Sequence, residues 1–237
     1  MEKNKTGKYL KYAIGEIILV VIGILIALSI NNWNEKRKLF SNEQSLFKKL
    51  ITDLDSEKNL LKSELNYLKR HQDLHYHIYK KTKGALKNDT INSYNRLQWI
   101  IIYHPKIKEN YAKLLEKISN DSIRDLLSQY IWREESTLDA FEEFNDYKLQ
   151  YLRPYFSKHG ILNTALAFND TPYEFMSLDN IELINHEKLE EQYGSQELDQ
   201  ILFNLRFKTA WQIDNINRLD ALNKKLKLVL IEEIAKN

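Results

Sequence analysis

Cysteine is absent from the 237 residues, and this removes disulfides, thiolate catalysis and cysteine-based metal sites at once. Proline occurs three times (Pro105, Pro154, Pro172) and glycine six times. An all-β sandwich needs many tight turns and consumes more of both, so few and long helices are expected. Charge of one sign is also missing. Acids and bases are interspersed to a net +2, without the basic stripe that a nucleic-acid partner requires. No GxGxxG, P-loop, GxSxG or HExxH pattern occurs. Neither a cofactor nor a catalytic centre is therefore expected.

One long apolar run is present. Ala13 to Ile30 reads AIGEIILVVIGILIALSI, with Glu16 as its only charge. A membrane-spanning helix needs roughly 20 apolar residues. Tyr9, Tyr12 and Trp33 fall where interfacial aromatics belong, so residues 13–33 are expected to span a bilayer behind a short basic tail, residues 1–12. A cleaved signal peptide ending at Ala27-Leu28-Ser29 is the competing reading. The length of the run and Glu16 at its head argue against it. Four lysines precede the span, and Lys36, Arg37 and Lys38 follow it, so the positive-inside rule nearly ties. The short tail favours a cytoplasmic N-terminus. Glu16 has two readings, a proton or ion relay, or a carboxyl one turn inside the interface that snorkels or pairs with Lys8 or Lys11. The second is favoured. Gly15, Gly23 and Ala27 share a helix face where a second helix could approach closely, so self-association through this segment and the helix after it is expected.

The stretch KYAIGEIILVVIGILIALSINNWNEKRK, Lys11 to Lys38, resembles the head of the DUF6090 family, bacterial membrane proteins of unknown function. Weaker similarities follow at Asn110–Leu115, Asn120–Tyr130 and Leu198–Asn217. Glu116-Lys117-Ile118-Ser119 stands where that family usually has a Ser- or Gly-containing turn. The resemblance implies a single-span protein of a bacterial inner membrane with an extracytoplasmic helical region. It carries no activity and no site residue.

Residues 34–237 are expected to form a soluble all-α bundle on three long helices, about 39–82, 120–153 and 195–235. The first repeats apolar residues at Phe40, Phe47, Leu50, Leu54, Leu61, Leu65, Leu68 and Ile78. The second buries Ile123, Leu127, Tyr130, Leu138, Phe141, Phe144 and Leu152, and Pro154 should stop it. The third carries a near-heptad stripe from Leu198 to Leu230, the pattern of a coiled coil. Between them, Asn88-Asp89-Thr90 reads as a loop, Ile91–Tyr103 as a short helix ended by Pro105, and Lys108–Lys117 as another. Thr171-Pro172-Tyr173-Glu174 and Asp179-Asn180-Ile181-Glu182 read as helix starts.

Two clusters are candidates for chemistry. His71 and His75 sit at i, i+4 and could share a metal, although such pairs usually face solvent. Tyr94, Trp99, Tyr103, Tyr111 and Trp132 belong to a Tyr- and Trp-rich middle region. It reads as core first and as a binding surface second. The adjacent pair Glu134-Glu135 is expected on a solvated face. The expected function is a non-catalytic, membrane-anchored interaction protein whose partners are the bilayer, a second copy or an unknown protein. A ligand-binding extracytoplasmic sensor is the alternative, and a metal-dependent enzyme ranks third.

Overall fold

A computed structural model describes residues 5–86, 91, 93–165 and 181–236, with side chains from residue 14 onward. The expected loop at Asn88–Thr90, the helix starts at Thr171–Glu174 and Asp179–Asn180, and the side chains of Tyr9 and Tyr12 lie outside the described residues. The chain is all-α: α1 (Lys5–Thr82), α2 (Lys106–Tyr111), α3 (Asp121–Tyr147), α4 (Arg153–Lys158), α5 (His186–Glu190) and α6 (Gln196–Ala235). It divides into two compact units between Leu50 and Ile51, inside α1.

In the first unit, every large aliphatic side chain from Ile14 to Ile30 is exposed. Trp33 is 62% exposed, and Arg37 stacks on its ring at 5.2 Å. Phe40, expected in the core, is 43% exposed.

The second unit is a three-helix body. Tyr130 of α3 reaches Glu57 of α1, and His71 and His75 of α1 lie against Phe144, so α1 and α3 run parallel. α6 returns antiparallel to both: Asn223 meets Leu54, Lys227 meets Asp55, and Lys83 meets Asp199. The packing follows from spacing. Leu198, Leu202, Leu205, Thr209, Gln212, Ile216, Leu219, Asn223, Leu226 and Leu230 are buried on α6 and alternate four and three apart. That step keeps one stripe facing its neighbours over the whole helix. The same alternation runs through Ile123, Leu127, Tyr130, Glu134, Thr137, Phe141, Phe144 and Lys148. Leu65 and Leu138, expected in the core, are half-buried. Asn120 and Ser195 cap α3 and α6 by accepting the N–H of Ile123 and Leu198.

Three expected elements differ. Ile91–Tyr103 is not a helix: only a 3₁₀ turn forms at Asn95–Leu97, and the rest is irregular. Its buried main-chain groups find side chains instead. The Ile101 N–H donates to Asn145 Oδ1 at 2.9 Å, and Asn145 Nδ2 donates to the Ile101 carbonyl at 2.6 Å. Lys148 Nζ donates to the carbonyls of Arg96 and Trp99, and Arg153 Nη2 to that of Gln98. With these contacts in place, Leu97 and Ile101 enter the core. Second, Lys108–Lys117 is split between α2 and a 3₁₀ turn, Ala112–Lys117. Third, Pro154 does not stop the helical path. A π turn, Lys148–Leu152, widens the helix, so the Arg153 N–H reaches back to the Lys148 carbonyl, and Pro154 opens α4. The wider turn relieves the clash between a proline ring and the carbonyl four residues earlier.

Asn145→Ala leaves both groups of Ile101 without their partner. Urea unfolding should show a loss of about 2 kcal/mol relative to wild type. An unchanged midpoint would mean that the amide clamp contributes nothing.

Candidate functional site

The buried stripes carry an unusual set of polar side chains. On α1 these are Glu57, His71 and His75, on α3 Glu134 and Thr137, at the start of the π turn Lys148, and on α6 Thr209, Gln212 and Asn223. The threonines satisfy themselves by back-bonding, Thr137 to Arg133 and Thr209 to Leu205. Gln212 has no side-chain hydrogen-bond partner among the described residues, and the others form two clusters.

The first is a carboxyl pair. Glu134 accepts the main-chain N–H groups of Ile107 and Lys108 in the first turn of α2, so it also fastens that helix to α3. Glu57 Oε2 accepts the Tyr130 hydroxyl at 2.7 Å, and Tyr130 in turn accepts from Asn223 Nδ2 at 3.3 Å. Glu57 and Glu134 hydrogen-bond to each other. Two carboxylates cannot do so without a proton between them, and burial raises both groups above the ordinary carboxyl range. Burial is the largest cause for each, the contact between them raises Glu134 further, to about 9, and lowers Glu57, and the pair together holds one proton at neutral pH. A proton-sharing pair can serve as general acid and base only where substrate reaches it. Both side chains are buried, and neither lines a described cavity, so this pair is a structural joint.

The second cluster is basic. His71 and His75 are buried, not solvated as their spacing suggested. Their rings are 6.1 Å apart and flank Phe144, and none of their four nitrogens has a hydrogen-bond partner among the described residues. Burial, then the nearby Lys148, pushes His71 down to about 2 and His75 well below its usual value. Lys148 is itself pushed down to about 7, first by burial and then by Arg153. The surroundings are unfavourable for a metal cation. Lys148, Arg96 and Arg70 surround His71, and Lys148 and Arg206 surround His75. No group of three metal-binding side chains forms among the described residues.

The remaining candidates scatter. Tyr94, Tyr103 and Tyr111 are buried, so they belong to the core and not to a surface. The Tyr111 hydroxyl donates to Asp53 at 2.6 Å. Trp132 is 59% exposed and lies under Arg133. Trp99 is half-buried and lines a cavity of about 550 Å³ with Gln98, Ile100, Arg153, Leu162, Asn163, Thr164 and Leu183. In the first unit, Glu16, Gly23 and Ala27 are exposed and Gly15 is partly covered, with open space beside both glycines. Sequence reasoning missed Glu134 and Lys148, yet their position in the four-three alternation with Tyr130, Phe141 and Phe144 marks both as inward-facing.

Residues 16–115 match the model of a family of unknown function, DUF6090, the family that the head of the chain resembles. The similarities at Asn120–Tyr130 and Leu198–Asn217 lie beyond the matched span. No curated protein and no solved structure matches the chain.

The signs of the shifts predict an acid limb of stability. The folded histidines stay neutral below 6.5 while those of the unfolded chain take up protons. Stability is therefore full above that value and falls as pH drops below it, by about 1.4 kcal/mol per pH unit for each ring. Urea unfolding of the detergent-solubilised chain at stepped pH should show this slope, and His71→Phe with His75→Leu should flatten it. The carboxyl pair acts in the opposite sense. Above the usual carboxyl value the folded chain holds a proton that the unfolded chain has lost, so this contribution falls as pH rises. Glu57→Gln keeps the shape and supplies the donor permanently. It should stabilise the protein at pH 8 more than at pH 5, and a gap that does not grow with pH would refute the shared proton.

Proposed function

We propose that the chain is a single-pass, membrane-anchored helical interaction protein with no catalytic chemistry of its own. The observation that carries this reading is the apolar segment of α1. It is long and apolar enough to cross a membrane, and no part of its most apolar stretch is buried within the protein. The twelve large aliphatic side chains from Ile14 to Ile30 are all exposed. At about 1.5 kcal/mol or more for each side chain, leaving them in water costs on the order of 20 kcal/mol, more than the whole stability of an ordinary domain. A bilayer removes that cost. Trp33 with Arg37 on its ring suits the headgroup level.

The short basic tail supports a cytoplasmic N-terminus with the bundle outside. The family resemblance supports a bacterial inner membrane. A second copy is the first partner proposed, through the face that carries Gly15, Gly23 and Ala27, where open space stands beside each glycine. The sensor reading keeps one specific support, the cavity beside Trp99.

The cysteine-free sequence makes the test direct. In native membranes the chain should resist alkaline carbonate extraction and retain its first residues. Val21→Arg with Ile24→Arg, each costing about 2.5–3.5 kcal/mol at the centre of a span, should move it to the soluble fraction. Gly23→Cys should give an oxidised dimer and Ile22→Cys far less. A mature soluble chain beginning near Ile30 would overturn the anchor. Equal cross-linking at both positions would overturn the dimer face.

A further inference from the structure

The cavity beside Trp99 lies in the second unit, and both its walls are held in place by side chains. On one wall, Gln98 and Trp99 have their carbonyls fixed by Arg153 Nη2 at 2.9 Å and by Lys148 Nζ at 2.6 Å. On the other, Leu183 donates its N–H to Asn95 Oδ1 at 2.7 Å, and Asn95 Nδ2 donates to the Ile181 carbonyl. Two main-chain segments are thus clamped on either side of a space of about 550 Å³, the size of an ordinary small-molecule site.

The lining is mostly apolar, from Trp99, Ile100, Leu162 and Leu183, and among the described residues no acidic side chain contributes to it and Arg153 is its only charge. The guanidinium donates to one carbonyl, and its Nε is buried without a hydrogen-bond partner among the described residues. The side-chain nitrogen of Gln98 is buried and unpartnered in the same way. An apolar space with a single arginine on its lining fits a specific kind of molecule.

We propose that this cavity binds a small amphipathic carboxylic acid, its apolar body against Trp99, Ile100, Leu162 and Leu183 and its carboxylate on Arg153. The planar guanidinium is suited to hold both oxygens. This inference is independent of the anchor, because every residue in it belongs to the second unit.

The test uses the full chain in lipid nanodiscs, with empty nanodiscs as background, and 2-naphthoate as the probe in equilibrium dialysis. The neutral alcohol 2-naphthalenemethanol has the same rings without the charge. The expected result is saturable binding of the acid, at least about tenfold tighter than the alcohol. Arg153→Gln should weaken it by about tenfold or more. Ile100→Glu changes an exposed position, so it should fold normally while placing a competing carboxylate beside Arg153, and it should also block the acid. Binding of the acid no greater than to empty nanodiscs would overturn the proposal. So would equal binding of acid and alcohol, or undiminished binding in a folded Ile100→Glu protein.

Discussion

A buried main chain must find hydrogen-bond partners, and in this bundle the segment from Tyr94 to Lys108 has neither a helix nor a sheet to provide them over most of its length. The Tyr94 N–H donates to Glu182, and most of the other side-chain partners come from one helical path. Glu134 takes the N–H groups of Ile107 and Lys108, Asn145 takes both groups of Ile101, Lys148 takes the carbonyls of Trp99 and Arg96, and Arg153 takes that of Gln98. α3 and the turn after it thus act as the edge to which an irregular strand of chain is laced. The π turn belongs to the same solution. It lets the path continue past Pro154 to place Arg153 beside Gln98.

This explains what could be read in the sequence and what could not. The three long helices were legible because their leucines repeat at helical spacing. The apolar head was legible because eighteen residues carry one charge. The Trp99–Ile102 cluster was misread because a short apolar run has no period of its own, and only distant side chains decide its fate. His71, His75 and Glu134 were misread, and Lys148 was passed over, for a different reason. Polar type suggests solvent, but register along the stripe decides which way a residue faces. Reading the four-three alternation before the residue types would have placed all four inside.

Nothing in the head segment suffers from this ambiguity. Its side chains are apolar on every face, so no rotation of α1 hides them, and the pattern differs in kind from the one-sided stripe that begins further along the same helix. The two halves of α1 therefore differ in pattern. The first half exposes apolar side chains on all sides. The second needs two neighbouring helices, which α3 and α6 supply.

The cost of burying so many polar groups points to register as the property they secure. Three helices with leucines every seven residues can slide past one another by a heptad and still bury apolar faces. The layer formed by Glu57, Tyr130, Glu134 and Asn223 forbids this. Shift α1 against α3 by seven residues, and Glu57 faces the level of Ile123 or Thr137 in place of Tyr130, losing its hydroxyl donor and its carboxyl partner together. Shift α6, and Asn223 loses both Tyr130 and the Leu54 carbonyl. A buried carboxyl stripped of its partners costs several kcal/mol, a large share of the stability of a domain this size. The lacing of the 94–108 segment adds a second lock, because its contact points on α3 and α4 are spread from Glu134 to Arg153 and fit only one alignment. A fully apolar seam would hold the same helices more tightly but in several alignments. The polar layer gives up stability for a single alignment, and only in that alignment do the walls beside Trp99 come together.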